Sequence, residues 1–258
     1  MTAPQFITSR DNPQLRALRK LAGDNTGYRT SGKVWVEGEH LCSAALLRGV
    51  RPALAVVAAS LWGDGKSPWS GAAPTTLVLS DALFKGISTL DSPSAVGFVL
   101  DVPAQGTLDV AVATVVLDRV QDAGNVGSIL RSAAAFGFKQ VIALRETAAL
   151  WSPKVLRAGM GAHFGLTLFE AVDAEVLDSL RVPLLVTSSH EGALIHDARL
   201  PFPCAWVLGH EGQGVSPALV ARAALQVRIG QPGGEESLNV AAAAAICLHA
   251  SAAGASAG

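Results

Sequence analysis

The sequence predicts an α/β protein with a mostly parallel sheet and a smaller α/β region ahead of it, and three observations carry that reading. From Val110 onward apolar runs alternate with helical segments: Val112 to Leu117, Gln140 to Leu144, Leu184 to Ser188, Ala205 to Leu208 and Val227 to Ile229. These runs are continuous rather than alternating, the pattern of strands covered by helices on both faces. Three glycine-rich loops leave apolar strands, which is how an α/β sheet builds a ligand crevice. The breaker-rich stretch Asp101-Val102-Pro103-Ala104-Gln105-Gly106 precedes the change of rhythm, so residues 1–104 are read as one domain and 105–258 as another.

Asn12 followed by Pro13 predicts a helix N-cap and first turn, with Gly23 as its stop. At helical period Leu15, Leu18 and Ala22 share one face, and Arg16, Arg19 and Lys20 another. Val34 to His40 predicts a short strand and a turn into a helix through Leu47. Leu54 to Ala58, Leu77 to Leu79 and Val96 to Leu100 read as buried strands. The stretch from Gly63 through Asp64, Gly65 and Lys66 to Pro74 reads as a loop; Trp62 and Trp69 are read as loop tryptophans that cover core, with stacking on bases as the alternative. Ser152-Pro153 and Ser216-Pro217 each read as an N-cap and first helical position, and the alanine-rich run from Asn239 to about Ala253 reads as the closing helix.

At 258 residues, half of them hydrophobic, the chain has material for a sizeable core. The longest apolar stretch, around Val240 to Leu248, is too short to span a bilayer, and the N-terminus shows no signal-peptide pattern. Cys42, Cys204 and Cys247 suit neither a disulfide framework nor a CxxC zinc site, so a reducing cytoplasm is expected. The histidines have no ligand spacing, and no metal is expected. A net charge of -1 excludes a protein that is basic all over. Nucleic-acid binding would therefore need a local patch. Arg10, Arg16, Arg19, Lys20, Arg29 and Lys33, against Asp11 and Asp24, supply one; the same residues also suit a plain solvated face.

The three loops are Asp118-Arg119-Val120-Gln121-Asp122-Ala123-Gly124-Asn125-Val126-Gly127-Ser128-Ile129-Leu130-Arg131, then Gly209-His210-Glu211-Gly212-Gln213-Gly214, then Ile229-Gly230-Gln231-Pro232-Gly233-Gly234-Glu235-Glu236-Ser237-Leu238-Asn239. Gly124 and Gly127 bracket Asn125 and allow close backbone approach, and Arg131 follows Gly127 by one helical turn. A guanidinium there suits a two-pronged grip on phosphate or ribose oxygen and stabilisation of alkoxide charge. It does not suit a general base, because guanidinium keeps its proton in proteins. Glu211 is open to a catalytic role or to a structural one that orients Asn125. Ser237 reads as an N-cap, and Asn239 as a side chain that reaches the substrate.

The combined order Asn-x-Gly-x-x-x-Arg, Gly-x-Glu-Gly-x-Gly and Glu-Ser-Leu-Asn-Val resembles the SpoU/TrmH family of RNA 2'-O-ribose methyltransferases, within the SPOUT superfamily. The family's third loop usually opens Ile-Pro-Met, where this chain has Ile229-Gly230-Gln231. The resemblance implies a C-terminal SPOUT domain with a deep trefoil knot, a homodimer formed through that domain, and S-adenosylmethionine as methyl donor. It implies catalytic roles for Asn125, Arg131, Glu211, Ser237 and Asn239. Cofactor contacts, largely through the backbone, are implied at Thr187, Leu208, Gly209, Gly214, Ile229, Gln231 and Leu238. In Ile7-Thr8-Ser9-Arg10-Asp11-Asn12-Pro13 and Val36-Glu37-Gly38-Glu39-His40-Leu41 the chain is similar to the family's L30e-like RNA-binding extension. Arg10, Arg16, Arg19, Lys20 and Arg29 would then face RNA. Ribosomal RNA, 23S in first place, is the expected substrate and tRNA the alternative.

Two other classes compete. One is an RNA-binding or ribosome-assembly factor with the same fold and no turnover, against which the retained polar residues of the loops argue. The other is a Rossmann oxidoreductase. No G-x-G-x-x-G follows an early strand with an acidic residue about twenty positions on, which the dinucleotide fingerprint requires.

Overall fold

The computed structural model describes residues 3–63, 67–90, 92–188, 191–234 and 237–256. Asp64, Gly65 and Lys66 of the breaker-rich loop, and Glu235 and Glu236 of the third glycine-rich loop, lie outside the described residues. The chain divides into two compact units, Met1–Ala104 with Trp151–Phe164, and Gln105–Leu150 with Gly165–Gly258.

In chain order the first part forms β1 (Gln5–Ile7), α1 (Pro13–Gly23), α2 (Tyr28–Ser31), β2 (Lys33–Glu37), α3 (Glu39–Leu47), β3 (Leu54–Ala58), α4 (Ala59–Trp62), β4 (Thr76–Leu79), α5 (Asp81–Lys85) and β5 (Val96–Asp101). Asn12 caps α1 through a 2.8 Å bond from the Gln14 amide, and Leu15, Leu18 and Ala22 are its buried stripe, as the period predicts. The sheet order is β1-β4-β3-β5-β2. Its first three strands run parallel, and β5 runs antiparallel to both neighbours. One core cluster joins Leu15, Leu18, Trp35, Val56, Leu77 and Phe84. Trp62 and Trp69 are buried, the latter edge-on to Phe98, so both cover core.

The remainder forms β6 (Thr114–Asp118), α6 (Ala123–Ala135), β7 (Gln140–Leu144), α7 (Pro153–Gly159), β8 (Thr167–Val172), β9 (Leu184–Thr187), β10 (Ala193–Leu194), β11 (Ala205–Gly209), α8 (Pro217–Val220), β12 (Leu225–Arg228) and α9 (Val240–Ser256). Residues 151–164, which the sequence rhythm assigns to the second domain, pack in the first unit. There the Arg157 guanidinium donates to the carbonyl and hydroxyl oxygens of Thr89, both at 3.0 Å. A Cβ at Gly161 would lie 2.6 Å from that of Ala44, so only glycine permits this approach.

The second sheet, β10-β12-β9-β11-β6-β7-β8, is parallel at every pairing. Side chains alternate between its faces. Val116, Ile142, Val186 and Val207 belong to a cluster with Leu177 and Leu219. Trp206 points the other way, and its indole N–H donates to the Ser251 hydroxyl of α9 at 2.9 Å. It is fully buried, so truncating it would cost about 3–5 kcal/mol. Among the described residues no helix is long and apolar enough to cross a membrane.

Candidate active site

Parallel strands present their carboxyl ends on one edge, and β12, β9, β11 and β6 are adjacent, so the loops that follow them gather there. Chain order reverses at β6, with β7 and β8 on one side and β11, β9 and β12 on the other. Such a switch point is where open α/β sheets leave a crevice. A cavity of about 560 Å³ lies among these loops, lined by Thr187, Gly209, Glu211, Gly214, Ile229, Gln231, Ser237 and Leu238 among others. That volume suits a nucleoside-sized ligand.

Gly209 ends β11 against the returning loop. A Cβ there would lie 2.1 Å from the carbonyl carbon of Gly214. The loop between them closes on itself, with the His210 and Gly214 backbones exchanging bonds of 3.1 and 2.8 Å, and with His210 Nδ1 accepting from the Gly212 amide. This turn presents Glu211 to the first loop. The Glu211 carboxylate accepts from the Asp122 amide at 3.0 Å, the Gln121 amide at 3.2 Å and Asn125 Nδ2 at 3.1 Å. Burial raises its pKa most, yet those donors together hold it below the ordinary glutamate range.

Asn125 lies in the first turn of α6, whose cap is Asp122; the Asp122 carboxylate accepts from the Asn125 amide at 2.7 Å. Its own Oδ1 accepts from Asn239 Nδ2 at 2.9 Å. Asn239 in turn caps α9, its Oδ1 accepting from the Ala241 and Ala242 amides at 2.8 and 3.2 Å. Here the structure corrects the expectation that Ser237 is the cap. A cap side chain bonds the amides two and three positions on; α9 begins at Val240, which puts those amides in reach of Asn239. The chain Asn239, Asn125, Glu211 thus ties all three loops together.

A second tie went unread in the sequence. Asp118, buried at the end of β6, accepts from Arg119 Nε at 3.0 Å and from the Ser216 amide at 2.6 Å. Arg119 Nη1 donates to Gln213 Oε1 at 2.8 Å. To do so Arg119 adopts φ 59, a conformation costly for a side chain with a Cβ. A carboxylate that closes an apolar strand was a visible signal for Asp118. Nothing in the sequence signals the left-handed Arg119.

Of the other expected site residues, Leu208 is buried and does not line the cavity. Arg131 does not line it either; with Gly124 and Ser128 it forms the exposed stripe of α6, and it pairs with no group among the described residues. In the first unit Arg10, Arg16, Lys20 and Arg29 are exposed. Arg19 is half-buried and donates to the backbone carbonyls of Gly86 and Arg10, at 3.3 and 3.4 Å. Its charge therefore also supports the fold.

A parallel sheet with glycine loops and a polar cavity at its carboxyl edge defines a nucleotide- or cofactor-handling α/β protein. The sequence matches the SpoU rRNA Methylase family over residues 113–249. The chain belongs to that family, as the three loops implied, and membership carries the enzyme class of RNA methyltransferases that use S-adenosylmethionine. The 23S rRNA (guanosine(2553)-2'-O)-methyltransferase RlmP of Bacillus subtilis is 28% identical over 248 residues, covering 94% of this chain and 97% of the relative. A crystal structure of an RNA 2'-O ribose methyltransferase superposes with a TM-score of 0.82 at 29% identity, covering 97% and 99% of the two chains. The AdoMet-bound rRNA methyltransferase of Sinorhizobium meliloti gives 0.80 at 25% identity, covering 96% and 97%.

Proposed function

We propose that this protein methylates a ribose 2'-hydroxyl of structured RNA, 23S ribosomal RNA in first place, with S-adenosylmethionine as donor. The observation that carries this reading is the hydrogen-bonded chain from Asn239 through Asn125 to Glu211, of which Glu211 lines the cavity. The cavity suits the donor: its glycine loops leave little side chain between ligand and backbone, and Gln231 Oε1 stands buried in it without a partner. When bound, the donor supplies a methyl group already activated on a sulfonium cation, so the protein need not create the electrophile.

The protein's own task is placement and charge. Both asparagine amides are fixed by their bonds, and each keeps an N–H to offer a ribose oxygen. Ordered donors of this kind supply orientation that a free nucleotide lacks. Glu211, saturated by amides and held ionised, acts as a positioning residue through Asn125. Arg131 grips ribose or phosphate and stabilises the alkoxide charge as the hydroxyl loses its proton. Ser237 and Leu238 bound the cavity beside the closing helix, and Thr187, Gly209, Gly214 and Ile229 supply backbone to the donor.

Residues 105–258, less the segment 151–164 that packs in the first unit, serve as the catalytic domain, knotted as a trefoil and paired with a second copy. Residues 1–104 serve as an L30e-like RNA-binding domain, with Arg10, Arg16, Lys20 and Arg29 toward phosphate. The proposed setting is the cytoplasm. The 28% identity to a 23S enzyme over almost the whole chain supports this substrate over tRNA. Mass-spectrometric mapping of rRNA from cells with and without the protein tests it. One 2'-O-methyl group should vanish from 23S rRNA and return with the parent gene but not with Arg131→Ala. Loss from tRNA alone would move the substrate; loss from no RNA would end the enzymatic reading.

A further inference from the structure

Among the described cavity residues, Gln231 is the one with a buried side-chain oxygen or nitrogen that has no partner in the folded chain. Its Oε1 is shielded from solvent and accepts nothing, while the side chain lines the cavity with Thr187, Gly209, Ile229 and Leu238. Folded proteins pair nine in ten or more of such groups, and an exception calls for a partner from outside the chain. Gln231 also stands where the family pattern has methionine, a residue without a strong acceptor. The unpaired oxygen is thus a feature of this chain rather than of the family's backbone-mediated grip.

The missing partner must be a donor. A neutral amide oxygen in a cavity whose walls include Ile229, Leu238, Val240 and Ala243 suits the edge of a flat heterocycle held between apolar surfaces. A cation would instead find Glu191 or Glu211 on the same wall. We infer that Gln231 is a base-reading residue: its Oε1 accepts a hydrogen bond from the exocyclic amino group of the donor's adenine. This rests on the reading that the cavity holds S-adenosylmethionine.

The test compares two ligands and two proteins by calorimetry, using S-adenosylhomocysteine and its purine analogue that lacks the 6-amino group. The parent should prefer the adenine ligand by about tenfold or more, the usual consequence of leaving a buried acceptor unpaired. In Gln231→Met, which keeps the length and removes the acceptor, the preference should fall to within about threefold. The ligand-free variant should melt no lower than the parent, since it loses an unpaired buried group. A preference that is the same in both proteins, or absent in the parent, overturns the assignment. If S-adenosylhomocysteine fails to bind the parent at all, the reading of the cavity itself is wrong.

Discussion

At the junction of the loops after β6 and β11, Asp118, Arg119, Gln213, Glu211, Asn125 and Asn239 hold one another and their neighbours' amides in two linked sets of bonds. Across the cavity and along α6 the polar groups stand differently. Gln231 keeps an unpaired buried oxygen, and Arg131 extends from the exposed stripe of its helix. The first group is joined within the protein and sets geometry, leaving only one N–H of each asparagine for substrate; the second awaits ligand and RNA. Substitutions in the first should therefore cost stability or cofactor binding, and substitutions in the second should cost recognition or rate while stability holds.

The strongest way to break the paired side is steric. Gly209→Val would place a branched side chain where the backbone of Gly214 already lies, at 2.1 Å from the first added carbon. The loop from His210 to Gly214 must then move, taking Glu211 away from the first loop. Calorimetric binding of S-adenosylhomocysteine should disappear, while circular dichroism stays that of the parent because the sheet below is untouched. Parent-like affinity would show that the turn can open without harm.

Arg131 tests the unpaired side. Removing an oxyanion-type donor costs about 100- to 1000-fold in rate. Lysine keeps the charge but loses the planar fork, so Arg131→Lys should fail almost as badly as Arg131→Ala in single-turnover methylation at saturating RNA. Both should bind cofactor and melt like the parent, as exposed substitutions change stability by at most about 0.5 kcal/mol. A lysine variant within about threefold of the parent would show that a point charge is enough.

The two sides were not equally legible in the sequence. Continuous apolar runs gave the parallel sheet because strands covered on both faces have no polar alternation to lose. Asn12 and Ser152 were readable as caps because a capping oxygen followed by Pro13 or Pro153 is a local signal. The short strand Gln5–Ile7 and the edge strand Thr167–Val172, which mixes in Glu170, carry too little apolar pattern to stand out. Ser237 and Asn239 are both good caps, and only the start of α9 decides between them. Neither the left-handed turn at Arg119 nor the packing of residues 151–164 in the first unit has a local cause. Both arise from contacts between segments far apart in the chain. Gln231 was visible as a departure from a pattern, but that its oxygen is buried and unpaired is a property of the fold.

Asp118 measures what the paired side contributes to stability. Asp118→Ala removes the acceptor of Arg119 Nε and of the Ser216 amide, and leaves the left-handed Arg119 held by side-chain bonding to Gln213 alone. Hydrogen bonds to charged groups contribute about 1.5–3 kcal/mol, and the partial exposure of Arg119 favours the lower half of that range. Urea unfolding should show a loss of that size. A second substitution, Arg119→Gly, should recover part of it, since glycine adopts the positive φ freely. No loss in the single variant would mean that water replaces the carboxylate.

The smallest expected effect concerns pH and separates Glu211 from a general base. Burial pushes its pKa up, but the Asp122, Gln121 and Asn125 donors and its own backbone amide together hold it below the ordinary glutamate range. The unfolded chain therefore binds the proton more readily than the folded one, and stability linked to Glu211 rises with pH. Its contribution is complete above the ordinary glutamate range and is lost as pH falls through the lowered folded value. Because Glu211 is exposed, that contribution is screened to roughly 0.2–1 kcal/mol. The readout is the stability difference between the parent and Glu211→Gln, which cancels the titration of every other carboxylate. It should stay constant from pH 8 down to the ordinary range and shrink only below it. A general base poised for catalysis would titrate near neutrality instead, and the difference would already change between pH 8 and 6. That outcome would remove Glu211 from the positioning side and make it a direct participant in the proton's departure.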